Sequence, residues 1–455
     1  MRSSRRRDMS VIKAGLIGYP LGHSMSPYIH ERIMEASGIA GKYELYEISP
    51  EELPKYAPIL LRELTGFNVT IPHKVSILPF LEETTPAVKE YGAANTICGR
   101  VGYNTDVDGF LSCDIPLDGR VLLLGAGGVS HMMAIESLKS GADLHIWARS
   151  QEKAEALASE CRAKGYDKVT AWTFSESGEF DTILNGTPCG MWPNVHQAAP
   201  ELETSLRALL KPDGTYFDTV YNPCPTKSCM LVRAQGIRAV SGLKMLLNQA
   251  ISAEKIWAPE AHFDEERLQA ILPDLRKKLW EKNPMKVVFT GFMGAGKSTI
   301  GRMTAQEMNL PFIDLDEEIV RVAGCPITEI FARDGEEVFR RMERDILKEV
   351  LQRAGSAVIS LGGGVLMSEE NRNILSQANT MVIYLKVDAD TIWSRVKGDQ
   401  SRPLLQADDP DTAYKKMCAR LASREEAYEA GSDVVISASE NTENVFDRVK
   451  KLLLP

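Results

Sequence analysis

The sequence predicts an α/β protein built from several domains, and three observations carry that reading. Two long stretches, from about Val11 to Trp257 and from Lys286 to the end, alternate short aliphatic or β-branched runs with amphipathic helical patterns, the signature of strands packed against helices. Each stretch holds a glycine-rich turn between a buried-type strand and a helix: Gly125-Ala126-Gly127-Gly128-Val129-Ser130 in the first, and Gly291-Phe292-Met293-Gly294-Ala295-Gly296-Lys297-Ser298 in the second. The chain has 455 residues, too many for one ordinary core, and length alone implies about two to four domains.

The segment Val11 to Leu21 is interrupted by Gly15, Gly18 and Pro20. The basic start from Met1 to Met9 therefore leads into no secretory signal, and a disordered tail or a mis-called start codon is expected there. Four polar clusters follow: His23-Ser24-Met25-Ser26-Pro27, Asn68 to Lys74, Ala94-Asn95-Thr96, and Tyr103-Asn104-Thr105-Asp106. A buried core would not choose these groups, although Ser26 and Asp106 are also suited to cap the helices after them and Lys74 to an ordinary surface position. Next come a strand over Arg120 to Leu124, a helix over Gly127 to Ser140 and a second strand over Asp143 to Ala148. The turn Gly125 to Ser130 has the form of a dinucleotide-binding fingerprint, with Ser130 where the third small residue sits. Arg149, rather than Asp or Glu, ends the second strand. An arginine there suits a ribose 2′-phosphate and favours NADP(H) over NAD(H); the alternative is an exposed charge at a strand end.

The segment Asp264 to Lys282 is charged and helical in period, and Asn283-Pro284 stops it, which places a boundary near residue 283. The strand Lys286 to Thr290 then runs into GxxxxGK[ST], with a helix from Ser298 to Met308 behind it. Here glycines let backbone N–H groups close around phosphate oxygens, Lys297 neutralises charge and Ser298 is placed to ligate Mg²⁺. This part of the chain is therefore expected to bind a nucleoside triphosphate. Asp314 and Asp316 end the short run Pro311-Phe312-Ile313 and serve either Mg²⁺ and an acceptor hydroxyl or the N-cap of the helix at Glu317. Arg340 lies in a highly charged helix that reads equally as a solvated face. Gly362-Gly363-Gly364 follows the strand Ala357 to Leu361 and allows close approach of a ligand, or a tight turn. Arg402-Pro403-Leu404-Leu405 lies in a polar stretch suited to a lid, and Arg424 in the helix after it.

Composition narrows the classes. Apolar residues are 44% and charged residues 25%, the balance of a soluble globular protein, and no apolar run approaches the roughly 20 residues of a membrane span. Net charge is −9 with no basic stripe, which argues against nucleic acid as a partner. The eight cysteines are scattered, and the seven histidines form no metal-binding pattern. Reduced thiols, a cytoplasmic protein and no structural metal are expected.

Over residues 286–455 the runs GFMGAGKSTIGR, PFIDLDEEI, ITEIFARDGEEVFRRME, ISLGGGV, SRPLL and SREEAY occur in an order that resembles shikimate kinase. That resemblance implies a P-loop kinase domain with a parallel sheet flanked by helices, using ATP and Mg²⁺. Its implied site has Gly294, Gly296, Lys297, Ser298 and Thr299 at the phosphates, and Ser298 and Asp314 at the metal. Asp316 is implied as the base on the acceptor hydroxyls, Arg340 and Arg424 as the carboxylate clamp, Gly363 and Gly364 as the floor, and Arg402 as the lid cation.

Residues from about 11 to 280 resemble shikimate dehydrogenase through the four upstream clusters and through Asn185 to Pro188, Tyr221-Asn222-Pro223 and Gly242 to Gln249. The implied catalytic pair is Lys74 and Asp106. Ser24, Ser26, Thr70, Asn95, Tyr221 and Gln249 are implied at the substrate, with Gly125, Gly127, Gly128, Arg149 and Gly242 at NADP(H). Three positions depart from the common pattern: Ala148, Lys227 after Thr226, and Lys244, the last close to where nicotinamide is expected. The organisation implied is a substrate-binding domain at 10–112 completed by 243–282, a Rossmann NADP domain at 113–242 and the kinase at 285–455. Together the resemblances imply a bifunctional enzyme that reduces 3-dehydroshikimate to shikimate with NADPH and phosphorylates shikimate with MgATP. The alternatives are a quinate/shikimate dehydrogenase fused to the kinase, or one half acting as a non-catalytic regulatory module.

Overall fold

The computed structural model describes residues 11–22, 24–174, 178–196, 208–397 and 409–454. It contains three sheets. The first comprises β1 (Ile12–Gly18), β2 (Gly41–Glu47), β3 (Gly66–Val69), β4 (Glu83–Thr84), β5 (Thr96–Cys98) and β6 (Val101–Tyr103), in the order β2-β1-β3-β5-β6-β4. Its β1 pairs in parallel with β2 and β3, whereas β5 runs antiparallel to both β3 and β6. The aliphatic strand β1 is buried almost throughout, while β2 (GKYELYE) is the exposed edge. The helix Gly242–Trp257 returns from far along the chain to this sheet. Its Trp257 Nε1 donates to the Ile97 carbonyl at 2.8 Å, and a Cβ at Gly66 would come within 2.1 Å of the Trp257 ring. Glycine at 66 is what lets the indole approach the strand.

The second sheet is wholly parallel: β7 (Arg120–Leu124), β8 (Asp143–Trp147), β9 (Val169–Ala171), β10 (Phe180–Asn185), β11 (Leu210–Asp218) and β12 (Arg238–Ser241), ordered β12-β11-β10-β7-β8-β9. This is the doubly wound Rossmann order, with its switch point between β7 and β10, where such folds hold a dinucleotide. The run Val121 to Leu124 is fully buried, as expected for a strand covered on both faces. The third sheet is also parallel: β13 (Lys286–Thr290), β14 (Phe312–Asp314), β15 (Ala357–Ser360), β16 (Thr380–Lys386) and β17 (Val434–Ser437), ordered β14-β15-β13-β16-β17. The central strand β13 feeds the glycine-rich turn and the helix Lys297–Met308.

The chain divides into two compact units. One comprises residues up to Pro188, Ser205–Cys224 and Arg238–Leu279; the other comprises Cys189–Thr204, Pro225–Ile237 and the chain from Trp280 onward. The segment expected as one helix over Asp264 to Lys282 is two, Glu265–Gln269 and Ile271–Lys282, the first capped by the Asp264 carboxylate on the Arg267 N–H. The charged helix around Arg340, Ile327–Gln352, is broken at Gly335, whose φ of 81° and ψ of 172° no helix accommodates. None of the eight cysteines is joined in a disulfide. Among the described residues, no helix is long and apolar enough to cross a membrane.

Candidate active sites

In the first unit the upstream polar clusters converge. The short helix His73–Ser76 is pinned by buried His73, whose Nε2 lies 2.6 Å from the Ile48 carbonyl oxygen. Lys74, the next residue, reaches Asp106 with an Nζ–Oδ2 distance of 2.5 Å. Asp106 opens the helix Asp106–Leu111, which has no side-chain cap. Its other oxygen accepts from Asn95 Nδ2 at 2.9 Å, so the carboxylate serves the cluster rather than the helix end. Asn95 is itself fixed, since its Oδ1 accepts the Thr105 N–H at 2.6 Å. The Lys74 and Asp106 side chains are 33% and 22% exposed, so the pair is accessible to a small molecule yet partly shielded from water.

Ser24 and Ser26 lie where the helix Ser26–Ser37 begins; the N-cap position is Met25, and the Ser26 N–H at the first helical position donates to Ser24 Oγ at 3.2 Å. Thr70 follows β3, and Gln249 sits on the helix Gly242–Trp257, its Nε2 donating to the Leu246 carbonyl at 3.0 Å. Gly109 brings the Asp106 helix against Gln249, for a Cβ at that position would fall 2.9 Å from the Gln249 Cβ. Burial pushes the Tyr221 hydroxyl above its ordinary range. Among the described residues, no hydrogen bond links Thr70, Tyr221 or Gln249 to Lys74 or Asp106. An ammonium held against a carboxylate beside an amide can give or take a proton at an oxygen whose charge changes.

At the end of β7, Gly125 adopts a φ of +106°. A Cβ at Gly127 or Gly128 would meet nothing within 4 Å, leaving an open backbone edge where the helix Gly128–Lys139 starts without a side-chain cap. Free N–H groups at a helix start suit a pyrophosphate. Ser130 is fully buried, and a Cβ at Gly186 would lie 2.5 Å from its Oγ, which accounts for a small residue at the third fingerprint position. Arg149 is exposed after β8 and makes no ion pair among the described residues, while the neighbouring Ser150 caps the next helix. Gly242 packs so tightly that a Cβ would fall 2.2 Å from the Thr219 carbonyl oxygen. Lys244 pairs with Asp114 at 3.2 Å.

In the second unit, Gly291, Gly294 and Gly296 take φ values of 145°, 78° and 90°, turning the loop that ends at Lys297. Lys297 Nζ donates to the Phe292 carbonyl within the loop at 3.1 Å; Thr299, two residues on, is exposed. Ser298 Oγ donates to Asp314 Oδ2 at 2.6 Å. Asp314 uses its other oxygen to accept the Asp316 N–H at 3.1 Å and so caps the helix Leu315–Ala323. The capping reading of Asp314 is met on one oxygen, and the other accepts from Ser298.

Burial foremost, and then the charge of Asp314, hold the Asp316 carboxyl above the usual carboxylate range, against the pull of Lys297 and Arg340. A Cβ at Gly362 would come 2.5 Å from Asp316 Oδ1, and one at Gly364 2.5 Å from Arg340 Nη1. Gly363 differs: its carbonyl accepts from Arg424 Nη1 at 2.9 Å and from the Tyr428 hydroxyl at 2.5 Å. Arg340 is half-buried rather than solvated, and its Nη1 donates to Glu343 Oε2 at 3.0 Å. Glu343 is buried, and that burial raises its carboxyl despite Arg340.

Sequence reasoning misses Glu343, Tyr428 and Arg420. Their signal is spacing: Arg340 and Glu343 stand three apart, and Arg420, Arg424 and Tyr428 four apart, each set on one helix face. Arg420 lines a cavity of about 420 Å³ together with Phe292, Met293 and Met417. Arg402 and His23, with the whole of SRPLL, lie outside the described residues.

Comparison with known proteins places both halves. A family model described as shikimate kinase matches residues 293–454, and one described as the shikimate dehydrogenase substrate binding domain matches residues 16–97. The shikimate dehydrogenase (NADP(+)) of Microcystis aeruginosa is 37% identical over 259 residues, covering 53% of this chain and 90% of that protein. Among solved structures, shikimate 5-dehydrogenase from Thermus thermophilus, in complex with NADP(H) and shikimate, is 29% identical with a TM-score of 0.51, covering 58% of this chain and 99% of that one. Quinate dehydrogenase from Corynebacterium glutamicum, in complex with NAD, is 27% identical with a TM-score of 0.50, covering 58% and 99%. The chain belongs to the shikimate dehydrogenase family and carries a shikimate kinase domain at its C-terminal end.

Proposed function

We propose that Lys74, Asp106, Asp316 and Arg402 are the catalytic residues of a bifunctional shikimate-pathway enzyme. Residues 10–112 with 243–282 form its substrate domain, 113–242 its NADP domain and 285–455 its kinase. The first half reduces 3-dehydroshikimate to shikimate and the second phosphorylates shikimate. The observation that supports this most directly is that one chain holds both the Lys74–Asp106–Asn95 cluster and the Ser298–Asp314 pair beside Asp316 and Arg340. The binding groups fit. The open backbone at Gly127 and Gly128 and the exposed Arg149 suit NADP(H), and the adjacent Ser298 and Asp314 oxygens suit Mg²⁺, a hard cation that takes oxygen ligands.

NADPH supplies the hydride when bound, and MgATP the phosphoryl group. Lys74 donates the proton that the ring oxygen takes up as the ketone is reduced, and Asp106 holds and aims the ammonium. Ser24, Ser26, Thr70, Asn95 and Gln249 hold the ring substituents, with Tyr221 beside them. In the kinase, Arg340 and Arg424 fork the substrate carboxylate. Asp316 accepts the proton of the attacking hydroxyl, while Lys297 and Arg402 meet the charge on the transferring phosphoryl group. Cysteines not joined in disulfides fit a cytoplasmic enzyme.

A coupled assay that starts from 3-dehydroshikimate with NADPH and ATP tests the assignment, with both cofactors followed. Equal consumption of the two is expected. Turnover of quinate with NAD⁺ exceeding that of shikimate with NADP⁺ would replace the substrate assignment with the quinate reading.

A further inference from the structure

The reductase half buries a hydrogen-bonded histidine–glutamate pair that the mechanism above does not use. His30 and Glu254 are both 0% exposed, with Nδ1 and Oε1 2.7 Å apart. Among the described residues, His30 Nε2 and Glu254 Oε2 are buried without a hydrogen-bond partner. Such a pair is a poor means of stabilising a core, since desolvation offsets its attraction and each orphan atom adds a further cost. Its position gives it another use. His30 lies one turn along the helix that begins at Ser26, and Glu254 lies on the helix that carries Gln249. The pair thus bolts together the two helices that bring these residues to the substrate.

A second connection leaves the same point. The Tyr43 ring stacks on His30 with centroids 4.0 Å apart and planes 8° from parallel. Its hydroxyl donates to Asn68 Oδ1 at 2.7 Å. Asn68 Nδ2 in turn donates to Thr96 Oγ1 at 2.9 Å and to the Asn95 carbonyl at 3.2 Å, and Asn95 donates to Asp106. The links from the buried pair to the proton-transfer pair are a ring stack and hydrogen bonds, joined through Asn68 and Asn95.

We propose that His30, Glu254 and Tyr43 are positioning residues of the reductase: they set Ser26 and Gln249 against each other and, through Asn68 and Asn95, fix the Asp106–Lys74 pair under the ring oxygen. The proposal rests on the reductase reading above, which fails separately if the unaltered protein does not reduce 3-dehydroshikimate. Misplacement of a reacting group by about 1 Å can cost on the order of a hundredfold in rate, so small shifts at this junction are visible in turnover.

Two variants of the full chain decide it. Tyr43→Phe keeps the stack and removes the hydroxyl that links to Asn68 and to Ser26. It is expected to lower kcat for 3-dehydroshikimate reduction by about tenfold with little change in KM, while kinase turnover in the same protein stays unaltered. The double variant His30→Phe with Glu254→Leu fills the same space without charge. It is expected to raise KM for 3-dehydroshikimate and to lower kcat, with no loss of thermal stability. Unchanged kcat in Tyr43→Phe overturns the proposal, and so does a double variant whose reductase constants match the unaltered protein. Should the double variant lose a thermal unfolding transition that the unaltered protein shows, it has not folded and Tyr43→Phe alone decides.

Discussion

Asp316 carries the sharpest prediction at the scale of a single residue. Burial and the neighbouring Asp314 raise its carboxyl above the ordinary value of 3.8. A base must be ionised to act, so activity is present above the raised value and lost as the pH falls through it. The acid limb of kcat/KM for shikimate phosphorylation is therefore expected above pH 3.8 and is read from a pH–rate profile, which reports the free enzyme's groups. The sign for stability is the opposite. A carboxyl raised by the fold contributes stability below its unfolded value and loses it as pH rises through the folded one. Asp316→Asn is thus expected to abolish phosphoryl transfer without lowering the thermal midpoint at neutral pH.

The three consecutive glycines make a second residue-level test, because their surroundings differ. Alanine at 362 would drive into Asp316 Oδ1 at 2.5 Å, whereas at 363 the nearest atom lies 3.6 Å away, an ordinary contact. Asp316 is short and cannot move aside without leaving its working position. Gly362→Ala is expected to reduce kinase kcat by about a hundredfold, and Gly363→Ala to leave it within a few-fold. Steady-state kinetics of the two variants side by side check this.

At the scale of the element, the segment Ile327–Gln352 shows what a strained joint does. Gly335 sits at φ 81° and ψ 172°, and a Cβ added there would meet nothing within 4 Å, so a substitution meets backbone strain alone. That region is open essentially only to glycine, and occupying it otherwise costs about 1 to 3 kcal/mol. Gly335→Ala is expected to destabilise the second unit by that amount and to raise KM for shikimate, since the helical segment after the joint carries Arg340. Thermal unfolding and kinase kinetics measure the two effects. The kink also marks where the sequence stops being informative. Asp334-Gly335-Glu336 sits inside an unbroken run of charged helix formers, and glycine is tolerated in helices often enough that periodicity runs through it.

Elements with a strong local signal are legible. The strands at Val121 and Val287 and the two glycine-rich turns lie within a residue or so of where their pattern puts them. The Lys74–Asp106 pair is also legible, through resemblance. Glu343, Tyr43 and Glu254 are not, because each works through a partner that only the tertiary fold supplies: a guanidinium already spoken for, a stacked imidazole, and a helix returning from more than 200 residues away. A buried charge looks like a surface charge until its neighbours are known.

For the whole molecule, the informative fact is how the site residues distribute between the two units. Lys74, Asp106, Asn95, Tyr221, Gln249 and Arg149 all fall in the first, and the P-loop, Asp314, Asp316, Arg340 and Arg424 all fall in the second. None of the residues proposed for either site falls in the other unit, so losing one chemistry should leave the other whole. Lys74→Ala is expected to abolish reduction of 3-dehydroshikimate and to leave phosphorylation of added shikimate unchanged; Asp316→Asn is expected to do the reverse. The same separation governs an equimolar mixture of the two variants. If each site is complete by itself and shikimate passes between them through solvent, the mixture converts 3-dehydroshikimate to shikimate 3-phosphate with the same steady-state flux and the same lag as unaltered protein at equal site concentration. Stopped assays over the approach to steady state measure that lag. A mixture that matches the flux but shows a longer lag would mean that shikimate made on one chain reaches the kinase of that same chain before it escapes.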